Sequence, residues 1–176
     1  MSGHPARKKN AREKPPAHVK AVDLLSRSGH SRRELARKLR QRNYGPDEIE
    51  AGVRFVEDRN FLNEERDAEA AARTLCGRGY WGLAVRARLV TRGFPKSAID
   101  RALDQMETET PVDKALARML PAKLPADLKA RQRLALKIVR RGFPVSLVRR
   151  RFDDLPSEML ETAEAEFPDH DGCDEE

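Results

Sequence analysis

The chain has 176 residues, with 35 Lys and Arg against 29 Asp and Glu, a net charge of +6, and 5% aromatic residues. Leu, Ile, Val and Phe make up about a fifth of it, just enough for a lean core, and the shortage of Val, Ile and Thr argues against a β-rich fold. No apolar run approaches the ~20 residues that cross a bilayer, no apolar stretch follows the basic N-terminus to make a secretory signal, two cysteines (Cys76 and Cys173) build neither a zinc quartet nor a disulfide framework, and no glycine loop is shaped to cradle phosphate.

Residues 1–16 are poor in apolar side chains, end in Pro15-Pro16, and read as a disordered basic arm. From residue 17 to residue 152 the apolar residues fall at helical spacing: Val22/Leu25, Leu35/Leu39, Val53/Val56, Val85/Leu89, Ile99/Leu103 and Leu134/Ile138. Turn residues separate these stripes: Ser28-Gly29-His30, Asn43-Tyr44-Gly45-Pro46, Gly77-Arg78-Gly79, Gly93-Phe94-Pro95, Pro121, Pro125 and Gly142-Phe143-Pro144. The pattern predicts nine short helices, over 17–28, 32–42, 46–59, 63–76, 81–91, 95–106, 111–120, 126–141 and 144–152. Ser31-Arg32-Arg33-Glu34 fits a capping box at the start of the second helix. Residues 153–176 hold eleven acids and no Lys or Arg. They read as a disordered acidic tail, with at most a weak helix beginning at Pro156-Ser157-Glu158.

The middle of the chain repeats. Leu35, Leu39, Arg42, Tyr44 and Ile49 have the same offsets as Val85, Leu89, Arg92, Phe94 and Ile99, and as Leu134, Ile138, Arg141, Phe143 and Val148. A period near 50 residues signals a repeat architecture whose units bury their apolar faces on one another. The expected fold is all-α, a tandem repeat of three three-helix units, elongated or curved. The units span 17–60, 61–108 and 109–152, between the arm (1–16) and the tail (153–176). The aromatics Tyr44, Phe94 and Phe143 recur in one context and read as turn residues plugging the core rather than as stacking platforms for bases.

A second regularity lies in the cations. Four residues before each shared arginine stands another basic residue, giving the pairs Lys38/Arg42, Arg88/Arg92 and Lys137/Arg141. At this spacing both side chains lie on one helix face. Helix-dipole complementarity accounts for one cation in a last turn, but less well for two in register. The six side chains are candidates for a basic ladder that contacts a polyanionic partner. Secondary candidates are Arg32, Arg33, Arg37 and Arg40 on the second helix, and Arg149, Arg150 and Arg151 near the acidic tail. Most of the cations are arginine, whose planar fork suits phosphates and carboxylates.

The first two units resemble the RecX family of recombination regulators. The resemblance rests on Ser31-x-x-Glu34-Leu35-x-x-Lys38-Leu39 and on Phe61-Leu62-Asn63-Glu64-Glu65-Arg66-Asp67-Ala68. It continues through Gly79-Tyr80-Trp81-Gly82, Val85, Leu89 and Arg92-Gly93-Phe94. It is strong over about 18–104 and weak over 111–152. Asp67 departs from it, standing where the family usually has an aromatic, and the long acidic tail is not a family feature. The resemblance implies three tandem three-helix modules that bind the RecA recombinase filament and restrain its ATPase, strand-exchange and co-protease activities in homologous recombination, DNA repair and the SOS response.

No site for chemistry stands out. The histidines are scattered, neither cysteine has a predicted base, and Glu64-Glu65 and Asp153-Asp154 fall in turns or the tail. The expectation is a cytoplasmic monomer without catalytic activity, cofactor or metal, whose partner is the RecA filament and, through phosphates, DNA. The alternative is a stand-alone basic helical DNA-binding protein that needs no recombinase. An adaptor or scaffold using its helical faces is a third possibility.

Overall fold

The computed structural model describes residues 14–165, and the chain is all-helical over them. The first thirteen residues of the expected basic arm, and residues 166–176 of the acidic tail, lie outside the described residues.

Unit 1 is α1 (Ala17–Arg27), α2 (Arg32–Arg40) and α3 (Pro46–Asp58). Ser31 caps α2 by accepting the Glu34 amide on its hydroxyl oxygen, while Pro46 opens α3 and the Glu48 carboxylate accepts from the Gly45 amide. Packing of α1 on α3 and α2 buries Ala21, Leu24, Leu35, Leu39, Tyr44, Ile49, Val53 and Val56 in a core of their own. Unit 2 is α4 (Glu64–Gly77), capped by Asn63, with α5 (Gly82–Arg92) and α6 (Lys96–Glu109), and α4 packs most extensively on α6. The aromatic at each turn is buried, as the repeat predicts: Tyr44, Phe94 and Phe143 lie inside the cores.

Unit 3 departs from the expected trio. After α7 (Val112–Met119) come α8 (Leu128–Val139) and α9 (Val145–Arg151), and the helix packed on both of these is α10 (Ser157–Glu164). α7 is short and is cut off by Pro121 and Pro125. It contributes Ala115 and Leu116 to the core shared by units 2 and 3, and its Met119 covers Gly79 at the α4–α5 turn. The tail expected to stay solvated from residue 153 is therefore folded as far as α10. Leu155, Leu160 and Ala163 form a buried stripe, and three acids of this segment find cationic or amide partners. Asp154 lies 2.6 Å from Arg131, Glu161 lies 3.8 Å from Arg149, and Glu164 accepts from the Val145 amide. The high acid content had masked this narrow apolar stripe.

Leu160 is fully buried, so Leu160→Ala is expected to cost about 2–5 kcal/mol in urea unfolding. A loss below about 0.5 kcal/mol, the range of an ordinary surface change, would show that α10 is not part of the core.

Candidate functional site

The joints between units are built from the repeated Arg-Gly-aromatic turn. In unit 2 the guanidinium of Arg92 reaches back into unit 1. Its Nε and Nη2 lie 3.0 Å from Glu34 Oε2, and Nη2 also donates to the Gly29 carbonyl at 2.6 Å. The Ser31 hydroxyl donates to the Arg92 carbonyl at 2.6 Å. Gly93 has φ +82°, and a Cβ there would stand 2.8 Å from the Cβ of Arg33. Glycine is required on both counts.

Unit 3 repeats the arrangement on unit 2. Arg141 Nη1 donates to the Arg78 carbonyl at 2.6 Å, and the Trp81 amide donates to the Arg141 carbonyl at 2.7 Å. Gly142 has φ +89°, and a Cβ there would collide with the Trp81 carbonyl oxygen and the Ala84 amide nitrogen. By the repeat register, Ser31 and Trp81 are equivalent, as are His30 and Tyr80, so the same positions are used twice.

The first cation of the first two pairs enters the joint on the unit's own side. Lys38 Nζ is 3.4 Å from Glu34 Oε1 and 3.2 Å from His30 Nε2. Arg88 lies 3.7 Å above the Tyr80 ring, which Arg141 also approaches at 4.4 Å. The ladder is thus paired across units: Lys38 meets Arg92 at one joint, and Arg88 meets Arg141 at the next. Its two ends are exposed. Arg42 turns onto its own helix, donating to the Lys38 carbonyl, and Lys137 faces outward. In unit 1 the left-handed position of the turn is Asn43, φ +62°, rather than glycine. Lys14 and Pro15 close this end, with Lys14 Nζ 3.5 Å over the Tyr44 ring and the Tyr44 hydroxyl donating to the Pro15 carbonyl.

The joints differ in polarity. The unit 2–unit 3 joint is apolar, with Trp81 and Phe143 stacked at 5.9 Å within one continuous core. The unit 1–unit 2 joint is ionic, with His30, Ser31 and Glu34 buried between two separate cores. Burial raises the Glu34 pKa, but the Arg92 guanidinium, by charge and hydrogen bond, together with His30 and Lys38, outweighs it and holds the carboxyl below its ordinary value. Burial pushes His30 down, against the opposing pull of Glu34. Asp67, the departure noted in the sequence, is buried against Gly29 with Oδ2 lacking a hydrogen-bond partner.

The secondary candidates separate. Arg32 pairs with Glu57 at 3.4 Å, and its amide donates to Glu64. Arg33, Arg37 and Arg40 are exposed along α2 with no ion-pair partner among the described residues. Arg149 approaches Glu161, while Arg150 and Arg151 are exposed. Among these candidates, Arg33, Arg37 and Arg40 share one exposed face of α2, while other exposed cations, such as Lys114, Lys129 and Arg133, lie in unit 3. Burial raises the thiol pKa of Cys76, which keeps it protonated. Sequence reasoning had not assigned Gly29, His30 and Glu34 to a joint. The available signal was the glycine of the second and third turns against the asparagine of the first.

Residues 17–52 match the family model described as RecX, first three-helix domain. The regulatory protein RecX of Xanthomonas axonopodis pv. citri is 37% identical over 154 residues, covering 85% of this chain and 94% of that protein. The Stenotrophomonas maltophilia RecX is 36% identical over 147 residues, covering 82% and 89%. The Pseudomonas syringae pv. tomato RecX is 32% identical over 132 residues, covering 74% and 85%. The crystal structure of RecX from Lactobacillus salivarius superposes with a TM-score of 0.63 at 18% identity, over 79% of this chain and 94% of that one, so the fold is shared. With a relative more than a third identical over most of both chains, this protein belongs to the RecX family of regulatory proteins.

Proposed function

We propose that this protein binds the RecA recombinase filament on single-stranded DNA in the cytoplasm and lowers its ATPase, strand-exchange and co-protease activities, acting by contact and without chemistry of its own. The observation that carries this reading is the identity to regulatory RecX proteins across 85% of the chain. It is supported by a row of arginines on α2 that folding leaves without acidic partners among the described residues. A filament of protein and DNA offers both carboxylates and phosphates to such a row. Arg92 and Arg141 also hold the joints, so their share in contact acts through the angle between units. Arg33, Arg37, Arg40, Arg42, Lys137, Arg150 and Arg151 are exposed candidates that can touch a partner directly.

Purified protein is expected to suppress the single-strand-stimulated ATPase of RecA at or below equimolar amounts. An Arg37→Ser/Arg40→Ser/Arg42→Ser variant should need at least about tenfold more protein for the same suppression, at an unchanged melting temperature. An untouched ATPase with folded wild-type protein would overturn the reading. The second reading, a DNA-binding protein that needs no recombinase, is favoured by the same α2 row. It predicts a tight duplex or single-strand complex without RecA whose affinity falls steeply with salt.

A further inference from the structure

Between units 1 and 2 lies a cleft of about 240 Å³. Its lining joins the apolar Val90, Phe94, Pro95 and Ile99 to Glu64, which accepts from the Arg32 amide, and to Arg33 and Lys96, which have no ion-pair partner among the described residues. Through Arg33, Val90 and Gly93 the cleft adjoins a polar trough lined by Arg37, Arg40, Thr91 and the Glu34–Arg92 ion pair. One end is therefore largely apolar and sized for a single large side chain, and along the other Arg33, Arg37 and Arg40 outnumber the carboxylate of Glu34, which Arg92 already holds.

The spacing of that row is defined. From Arg33 to Arg40 the helix rises about 10 Å, the length of about three residues of extended chain. Arginine forks bind carboxylates in pairs, and an apolar side chain gains from a floor of Val, Phe, Pro and Ile. Phosphates along a nucleic-acid backbone would satisfy the arginines but leave the apolar floor unused.

We infer that this cleft and trough form a docking site for an acidic protein segment that carries one large apolar residue, with the apolar side chain seated over Val90, Phe94 and Ile99 and the flanking carboxylates on Arg33, Arg37 and Arg40. The site goes beyond the recombinase reading and stands on its own geometry. ATPase suppression is measured without the peptide, so failure of one leaves the other intact.

The test is fluorescence anisotropy of the full chain with a labelled short peptide of alternating Glu and Asp around a single central Phe. Micromolar binding is expected. At least about tenfold loss is expected when the peptide Phe becomes Ala, and a similar loss in Arg33→Ser/Arg37→Ser, whose exposed positions leave folding intact by circular dichroism. The Arg150→Ser/Arg151→Ser control should bind as the wild type does. Absent binding, equal affinity for the Phe and Ala peptides, or indifference to the α2 substitutions overturns the proposal. So does displacement of the peptide by a short oligothymidylate that binds more tightly, which would make the trough a nucleic-acid groove.

Discussion

Gly142→Ala is expected to lower the unfolding free energy by about 2–5 kcal/mol. Part of the loss is the cost of a Cβ in left-handed backbone, and part is the overpacking of a backbone contact that cannot yield. The colliding atoms are the Trp81 carbonyl oxygen and the Ala84 amide nitrogen, so no side-chain rotation relieves the clash. Two controls isolate the joint. Gly77→Ala, at the end of α4 with open space around its Cβ, should stabilise by about 0.5–1 kcal/mol. Asn43→Gly, at the equivalent left-handed position of unit 1, should change stability by less than about 0.5 kcal/mol. Urea unfolding of the three variants decides the matter. If Gly142→Ala behaves like Gly77→Ala, the third unit does not dock through this turn.

Arg92→Ala is expected to cost about 2–4 kcal/mol, because it leaves the buried Glu34 carboxylate with Lys38 as its one remaining ammonium or guanidinium partner and the Gly29 carbonyl without its donor. Glu34→Gln in the Arg92→Ala background should return part of that loss, since the buried, under-compensated charge is then gone. The same cluster sets an acid sensitivity. His30 is depressed below its ordinary value of 6.5 by burial. As pH falls through that value the unfolded chain takes up a proton that the folded joint refuses, so stability is lost from there down to the lowered pKa. Glu34 is also depressed. Its contribution is complete above the ordinary carboxylate range and is lost as pH falls through its own lowered pKa. Unfolding free energies measured between about pH 7 and pH 5 should decline in the wild type and decline less in His30→Gln. An equal slope in both proteins would remove His30 from the account.

Helices and repeat were legible because both are written locally. Leu35 and Leu39, or Val85 and Leu89, reveal a buried stripe through spacing alone, and Gly93-Phe94-Pro95 marks a turn by residue type. The acidic segment misled because charge count outweighed the stripe of Leu155, Leu160 and Ala163. The capping box was half legible: Ser31 caps α2, but the Glu34 carboxylate leaves its own helix to meet Arg92. The cation pairs were visible in register, yet their partners were not, since Arg92 meets Gly29 and Arg141 meets Arg78 across more than sixty residues.

By itself, then, the order of residues determined an all-helical chain, its threefold brick and the family to which it is similar, because periodicity, caps and turns act over a few residues. Only the tertiary structure decided which cations are spent on holding bricks together and which stay outward, and that α10 rather than α7 completes the last brick. Those outcomes depend on which surfaces meet, and a guanidinium looks the same in sequence whether a carboxylate from another unit lies beside it or water does.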